Sequence, residues 1–378
     1  MTKRIFIIAG EASGDFLGAR LLQSLKAQQS NLEIAGIGGN QMQEQGLKSL
    51  FPMSEISLYG IFELIPHLFS ILKRIQQTKQ AIKNFKPNVV VTIDSPGFTL
   101  RIARYVKKLK IPVVHYVAPS VWALRPGRAK KLAQRVGVDH LLCLLPFEPP
   151  YFECHGLSTT FVGHPITEID LPEDKNFRES LGFSREATLV CLLPGSRKSE
   201  IQNLLQIFLK TVEKLSQNRR IEVVLPTLPH LIPLIEPFIK NSTIPIKIVT
   251  TAQEKWKAFM QSSIALAASG TVSLELAYVG VPQVIAYKLS KLTYWIARLL
   301  VSTQYVSLVN ILTKEMVVPE LLQNECSVDI LYKKLDGILS DSKLQKQTRQ
   351  KYVEAINMLK IPQAKPSEIA ASVIKKFL

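Results

Sequence analysis

The sequence contains no C-x-x-C pair. Its four cysteines, Cys143, Cys154, Cys191 and Cys326, stand far apart, which argues against a zinc ribbon or a disulfide framework. The pattern suits reduced, mostly buried thiols of a cytosolic protein. No uncharged apolar run approaches the ~18 residues that a bilayer span needs. Lys3 and Arg4 precede an apolar run shorter than the ~7–15 residues of an export-signal core, so no export signal is read. Walker A, H-E-x-x-H, G-x-S-x-G and G-x-G-x-x-G patterns are all missing, as is any cluster with metal-ligand spacing. The six histidines are dispersed, with His115 and His164 expected in loops at strand ends. Acidic residues are scarce, 30 against 47 Lys and Arg, for a formal charge of +17.

A chain of 378 residues exceeds the roughly 250–300 residues at which single cores stop growing, so two domains are expected. A hydrophobic fraction of 47% with 20% charged residues fits a globular protein. The basic surplus suits nucleic acid, an anionic membrane or phosphorylated substrates. Here the cations are spread along the chain and no nucleic-acid motif accompanies them. A solvated surface, a membrane face and a phosphate-bearing substrate stay open.

Short, nearly continuous apolar runs alternate with helical patterns. They read "RIFIIA", "EIAGI", "NVVVTI", "IPVVHYV" and "DHLLCLL" in the first half, then "TLVCLL", "IEVVLP", "IKIV", "SIALAA" and "PQVIAY". Such runs suit parallel strands buried on both faces. Leu17, Leu21 and Leu25 mark one face of the helix between the first two. The predicted fold class is α/β, with two Rossmann-like doubly wound domains facing a cleft. The expected boundaries are residues 1–165 for the first domain, 166–185 for a proline- and acid-containing linker, and 186–340 for the second. Residues 341–378 then read as C-terminal helices that pack back on the first domain or on a partner.

Ligands of open α/β sheets sit beyond the carboxyl ends of the strands. After the first strand, "GEASGD" places Glu11, Ser13, Gly14 and Asp15 at a turn, with Ser13 a candidate cap for a helix starting near Gly14. "DSPGF" leaves Asp94 at the end of a buried strand, where a carboxylate is either a general base or a helix cap. "APSVWALRPGRAKK" puts Trp122 beside Arg125, Arg128 and Lys130, which suits an acidic substrate with apolar parts or a surface helix start. In the second half, Arg197 in "LLPGSRKSEI" lies near a helix start and suits a diphosphate. Ser269, Gly270 and Thr271 open another helix, and Glu275 one turn in is a candidate acceptor for both ribose hydroxyls.

The series "AGEASGD", "IDSPGF", "HYVAPSVWA", "LLPFE", "GHP", "LLPGSR", "ASGTVSLE", "YVSLVNIL" and "PELLQ" resembles the motifs of lipid A disaccharide synthases, in order and spacing to about residue 326. The resemblance implies a GT-B glycosyltransferase of two Rossmann-like domains, inverting and needing no metal or other cofactor. The implied reaction moves 2,3-diacylglucosamine from its UDP form to 2,3-diacylglucosamine 1-phosphate, giving a β(1→6) disaccharide and UDP. By the same resemblance Asp94 is the base for the acceptor hydroxyl. Arg197, Ser269, Gly270, Thr271, Glu275, Asn310, Glu320 and Gln323 fall on the nucleotide side. Glu11, Ser13, Gly14, Asp15, Trp122 and Arg125 fall on the acceptor side. Gly97, Ala118, Leu124 and Val309 depart from the family's usual residues.

Two other function classes fit the paired domains: a UDP-sugar epimerase or GT-B transferase with a soluble acceptor, and a two-lobed binding protein. The stretch "IFELIPHLFSILKRIQQTKQ" favours an acylated substrate. There Phe62, Ile65 and Phe69 widen the apolar surface beyond one core-facing stripe, and Lys73, Arg74 and Lys79 follow. The expectation is a segment that docks peripherally on the cytoplasmic face of the inner membrane; a core helix broken at Pro66 is the competing reading. A homodimer is a further expected partner, and nucleic acid is not.

Overall fold

The computed structural model describes residues 2–56, 64–123, 127–268, 270, 272–289 and 303–378, without the side chains of 64–68. Contacts divide the chain into Met1–Glu168 with Leu359–Leu378, and Ile169–Met358.

The first unit opens with β1 (Lys3–Ala9), α1 (Ala12–Gln28), β2 (Leu32–Ile37) and α2 (Asn40–Glu44). It continues through α3 (Leu64–Phe85), β3 (Val89–Ile93), α4 (Pro96–Lys108) and β4 (Val113–Tyr116). Then come α5 (Gly127–Lys131), which runs into a π turn over Leu132–Val136, β5 (His140–Cys143), α6 (Pro149–Glu153) and β6 (Ser158–Phe161). The six strands form one parallel sheet in the order β2-β1-β3-β4-β5-β6. Successive residues of β1 serve opposite faces, as strand geometry requires. Ile5, Ile7 and Ala9 pack with Leu17, Leu21 and Leu25 of α1, while Phe6 and Ile8 pack with Ile75, Ile82, Ile102 and Val106 of α3 and α4.

The second unit holds α7 (Phe177–Ser180), β7 (Thr188–Leu193), α8 (Lys198–Ser216), β8 (Ile221–Pro226) and α9 (Ile232–Ile239). Next are β9 (Ile246–Val249), α10 (Ala252–Gln261), β10 (Ile264–Ala267), α11 (Val272–Tyr278) and β11 (Gln283–Tyr287). It ends with α12 (Leu308–Thr313), β12 (Glu320–Leu322), α13 (Val328–Ser340) and α14 (Ser342–Met358). Its sheet is also parallel, in the order β12-β11-β10-β7-β8-β9. Both sheets are doubly wound, as the alternating runs predicted. Ten strands match those runs, and the two that escaped, β6 and β12, are short. β6 is a half-exposed edge strand with the polar sequence STTF.

Of the stretch 166–185, residues up to Glu168 belong to the first unit and the rest to the second, where the Arg178 guanidinium donates to the carbonyls of Gln261, Arg185 and Ala187. After α14, which packs on α11 and α12, the chain returns to the first unit as α15 (Pro366–Lys375), packed along α1. Buried Glu168 receives that return: its carboxylate accepts from the Ser367 backbone N–H (2.5 Å) and hydroxyl (2.9 Å). An acid there satisfies an otherwise unpaired N–H of the helix start and suits the positive end of the helix dipole.

His115 differs from its expected loop position. It lies inside β4, fully buried, with Nδ1 2.8 Å from the Thr92 hydroxyl, and burial pushes its pKa down to about 4. His164 is buried too and likewise lowered to about 4, so both are neutral imidazoles at pH 7.

Candidate functional site

In an open sheet the crevice for a ligand forms where the strand order reverses. Here those places are the carboxyl ends of β1 and β3 in the first sheet and of β7 and β10 in the second. Four of the five loops singled out in the sequence leave those four strands, and the fifth, with Trp122, leaves β4.

The β1 and β3 loops touch one another. A Cβ added to Gly10 would sit 2.5 Å from the Ser95 side chain, so only glycine allows that approach. Asp94 and Ser95 both have left-handed backbones, with φ of 50° and 46°. Such conformations are costly for residues other than glycine, although Asp tolerates them better than most. The turn is held by Asp94 N–H donating to the Tyr116 carbonyl (3.0 Å) and by Thr99 Oγ1 donating to the Asp94 carbonyl (2.7 Å). Asp94 Oδ1 accepts from Ser95 N–H at 2.8 Å, and Oδ2 has no partner among the described residues. Half-buried Asp94 thus keeps one carboxylate oxygen for a ligand. Val117, just beyond β4, has φ of 81°, a pronounced outlier for a β-branched residue.

The rest of the opening loop departs in part from expectation. α1 begins at Ala12 with Glu11 at its N-cap, so exposed Ser13 lies inside the first turn and is not the cap. Gly14 is buried against Ala9 and Ile93. Asp15 is buried as well, and its carboxylate accepts from the N–H groups of Gly39 (2.7 Å), Gln41 (3.0 Å) and Met42 (3.1 Å). It caps α2 and offers no oxygen to an acceptor.

Trp122 packs edge-on against Phe147, and its indole N–H donates to Glu148 Oε1 at 3.3 Å. The other Glu148 oxygen accepts from the Leu144 and Leu145 N–H groups. Burial pushes this carboxyl up to about 7 despite those bonds. Arg125 lies outside the described residues.

After β7, Gly195 adopts φ of 115°, and a Cβ there would lie 2.3 Å from Glu200 Oε2. Glu200 is the organiser of this loop. Its Oε2 accepts from Ser196 N–H (2.9 Å) and Arg197 N–H (3.2 Å), while Oε1 takes Arg197 Nη1 (2.9 Å) and the Tyr287 hydroxyl (3.0 Å). Burial, then the Glu200 charge, pushes Tyr287 up to about 12, so it stays a donor. The Arg197 side chain is 68% exposed and has further N–H groups to offer.

Ser269 and Thr271 lie outside the described residues; Gly270 between them has φ of 138°, and its carbonyl accepts from the Ser273 N–H and hydroxyl. Glu275 is paired with Lys255, whose Nζ lies 2.8 Å and 2.9 Å from its two oxygens. Asn310 and Glu320 commit their polar atoms to the neighbouring chain. Asn310 is fully buried and exchanges two bonds with the Val318 backbone, and its Nδ2 also donates to Glu320. Glu320 accepts in addition from the Val306 (2.9 Å) and Ser307 (2.7 Å) N–H groups, clamping the loop before α12 onto β12. Gln323, at φ of 52°, accepts from Leu289 N–H through its side chain.

The family described as lipid-A-disaccharide synthetase matches residues 5–374. The chain belongs to that family. Lipid-A-disaccharide synthase of Rhodospirillum centenum is 43% identical over 376 residues, which cover 98% of this chain and 93% of the relative. In fold, the chain is similar to S. aureus MnaA solved with UDP (TM-score 0.69, 15% identity, 100% and 97% of the two chains). It is also similar to the UDP-GlcNAc 2-epimerase of Neisseria meningitidis bound to UDP-GlcNAc (TM-score 0.67, 10% identity, 99% and 100%). At such identities the two structures speak for the fold alone.

Three residues of this lipid-A-disaccharide synthetase family member escaped the sequence reading: Glu148, Glu200 and Lys255. Glu200 had a signal, an acid three residues after the N-cap Arg197, the spacing at which a side chain reaches back to the cap N–H groups. Glu148 sat in the quoted "LLPFE" but carried no partner in sequence. Lys255 is twenty residues from Glu275, and no local pattern connects them.

Proposed function

We propose that the protein transfers 2,3-diacylglucosamine from UDP-2,3-diacylglucosamine to 2,3-diacylglucosamine 1-phosphate, forming the β(1→6) lipid A disaccharide 1-phosphate and releasing UDP. The observation that carries this is the family match over residues 5–374, together with the motif loops at both strand-order reversals. Asp94, with one uncommitted oxygen, takes the proton from the acceptor 6-hydroxyl as that oxygen attacks the donor's anomeric carbon. The bond to UDP breaks on the opposite side, which inverts the centre. Arg197 meets the growing charge on the diphosphate, joined by Ser269, Gly270 and Thr271 at the start of α11. Glu275 receives the ribose hydroxyls. Asn310, Glu320 and Gln323 act as positioning residues that shape the neighbouring loops. Glu11, Ser13, Trp122 and Arg125 border the acceptor. The test is UDP release by the purified protein with both acylated substrates present and not with either alone. Consumption of UDP-GlcNAc without an acylated acceptor would instead favour an epimerase.

The acceptor side also meets an anionic bilayer surface. No helix among the described residues is long and apolar enough to cross a membrane. α3 buries Ile71, Ile75 and Ile82, yet turns Phe69 outward at 85% exposure, with Leu72 and Lys73 beside it. Phe62 lies outside the described residues, as does the Ile65 side chain. α3, α4 and α5 with its π turn cover the same sheet face, and none contains an Asp or Glu. α4 exposes Arg101, Arg104, Lys107 and Lys108, and the next helix exposes Arg128, Lys130, Lys131 and Arg135. Each cation near an anionic surface adds roughly 1 kcal/mol, weakened by salt. In vesicle sedimentation, changing Phe62, Ile65 and Phe69 to Ser is expected to release the protein from anionic vesicles. Arg101, Arg104 and Lys107 changed to Gln should remove mainly the salt-sensitive part. Wild-type binding by both folded variants would refute the docking.

A further inference from the structure

We infer that Lys255 is a positioning residue for nucleotide recognition, its ammonium aiming the Glu275 carboxylate at the two ribose hydroxyls. This rests on the nucleotide role given to Glu275 above. Lys255 comes from α10 and Glu275 from α11, with β10 between them in sequence. The Nζ sits almost equally far from both carboxylate oxygens, 2.8 Å and 2.9 Å, which anchors the carboxylate along its O–C–O bisector. The ammonium is itself held over the rings of Trp256 and Phe259, at 5.2 Å and 5.8 Å from their centroids. Trp256 also packs edge-on against Tyr278 of α11 (6.4 Å, 79°), keeping the two helices in register.

Neither side chain is fully exposed or fully buried, at 31% for Lys255 and 19% for Glu275. A partly exposed pair of this kind adds little to stability, while it leaves the carboxylate reachable. An ionised carboxylate has about four acceptor positions. Lys255 occupies one on each oxygen, and the positions that remain can accept from ribose O–H groups. The ammonium also cancels the charge that a bare carboxylate would set against the nearby diphosphate. Glu275 thereby accepts hydrogen bonds without repelling the rest of the nucleotide.

The test is calorimetric titration of UDP and of 2′,3′-dideoxyuridine 5′-diphosphate into wild type, Lys255→Met, Lys255→Arg and Glu275→Gln. Wild type is expected to prefer UDP by about ten- to a hundredfold, the usual worth of hydrogen bonds to a charged group. Lys255→Met should bring that ratio down at least about fivefold, and Lys255→Arg should retain most of it. A pair that only supports the fold would weaken both ligands alike and leave the ratio unchanged. Should Lys255→Met not fold, Lys255→Gln serves the same comparison. A folded Lys255→Met or Lys255→Gln protein with the wild-type ratio, beside a Glu275→Gln protein that has lost it, overturns the inference about Lys255 alone. A wild-type ratio near one, or an unchanged ratio in Glu275→Gln, overturns the role of Glu275 and the inference with it.

Discussion

Asp94→Asn is expected to fold like the parent and to lower kcat by about 10²–10⁴-fold, with the KM of each substrate little changed. Asparagine is the informative replacement because the backbone at this position is left-handed, with φ of 50°. Asn tolerates that region, and its carbonyl oxygen can keep the bond from Ser95 N–H. What it lacks is a basic oxygen for the acceptor proton. Alanine would confound the result by straining the turn. Steady-state UDP release, with a thermal melt to confirm the fold, measures the effect. Turnover within about threefold of wild type, far short of the loss typical of a missing general base, would remove Asp94 from the chemistry.

Arg197→Ala is expected to lower kcat/KM by about 10²–10³-fold, the loss typical when a preorganised donor to developing negative charge is removed. The fold should survive, because Glu200 still accepts from the N–H groups of residues 196 and 197 without the guanidinium. Arg197→Lys should recover only a small part of the activity. An ammonium keeps the charge but not the planar pair of donors that meets two phosphate oxygens. If the guanidinium supplies this stabilisation, turnover continues in excess EDTA. A lysine variant with nearly full activity, or EDTA-sensitive turnover restored by Mg²⁺, would contradict that role.

Apolar periodicity alone exposed both sheets. Runs such as "NVVVTI" and "TLVCLL" became β3 and β7 because a parallel strand buried on both faces needs apolar residues without alternation. The loops at the strand ends were legible for the same reason: glycine, hydroxyl and charged residues follow those runs at once. Local chemistry was less secure. Asp15 read as a ligand contact because an acid at a glycine-containing turn looks alike whether it faces a substrate or caps a neighbouring helix. Glu320 was placed on the nucleotide side by resemblance, and its carboxylate holds the Val306 and Ser307 N–H groups.

The sequence by itself therefore determined the α/β class, ten of the twelve strands among the described residues and the loops that carry the motifs, since each depends on residues adjacent along the chain. Tertiary structure decided which polar atoms remain available. The hydrogen bonds of Glu200, Lys255 and Asp94 are set by the folded chain, and the Lys255 bond joins residues that no periodicity links. It also decided which cations share a surface. Lys and Arg residues from three separate stretches fall on acid-free elements laid over one face of the first sheet. Helices from separate stretches share a face because right-handed crossovers stack them on the same side of the strands, and that sum is invisible one segment at a time.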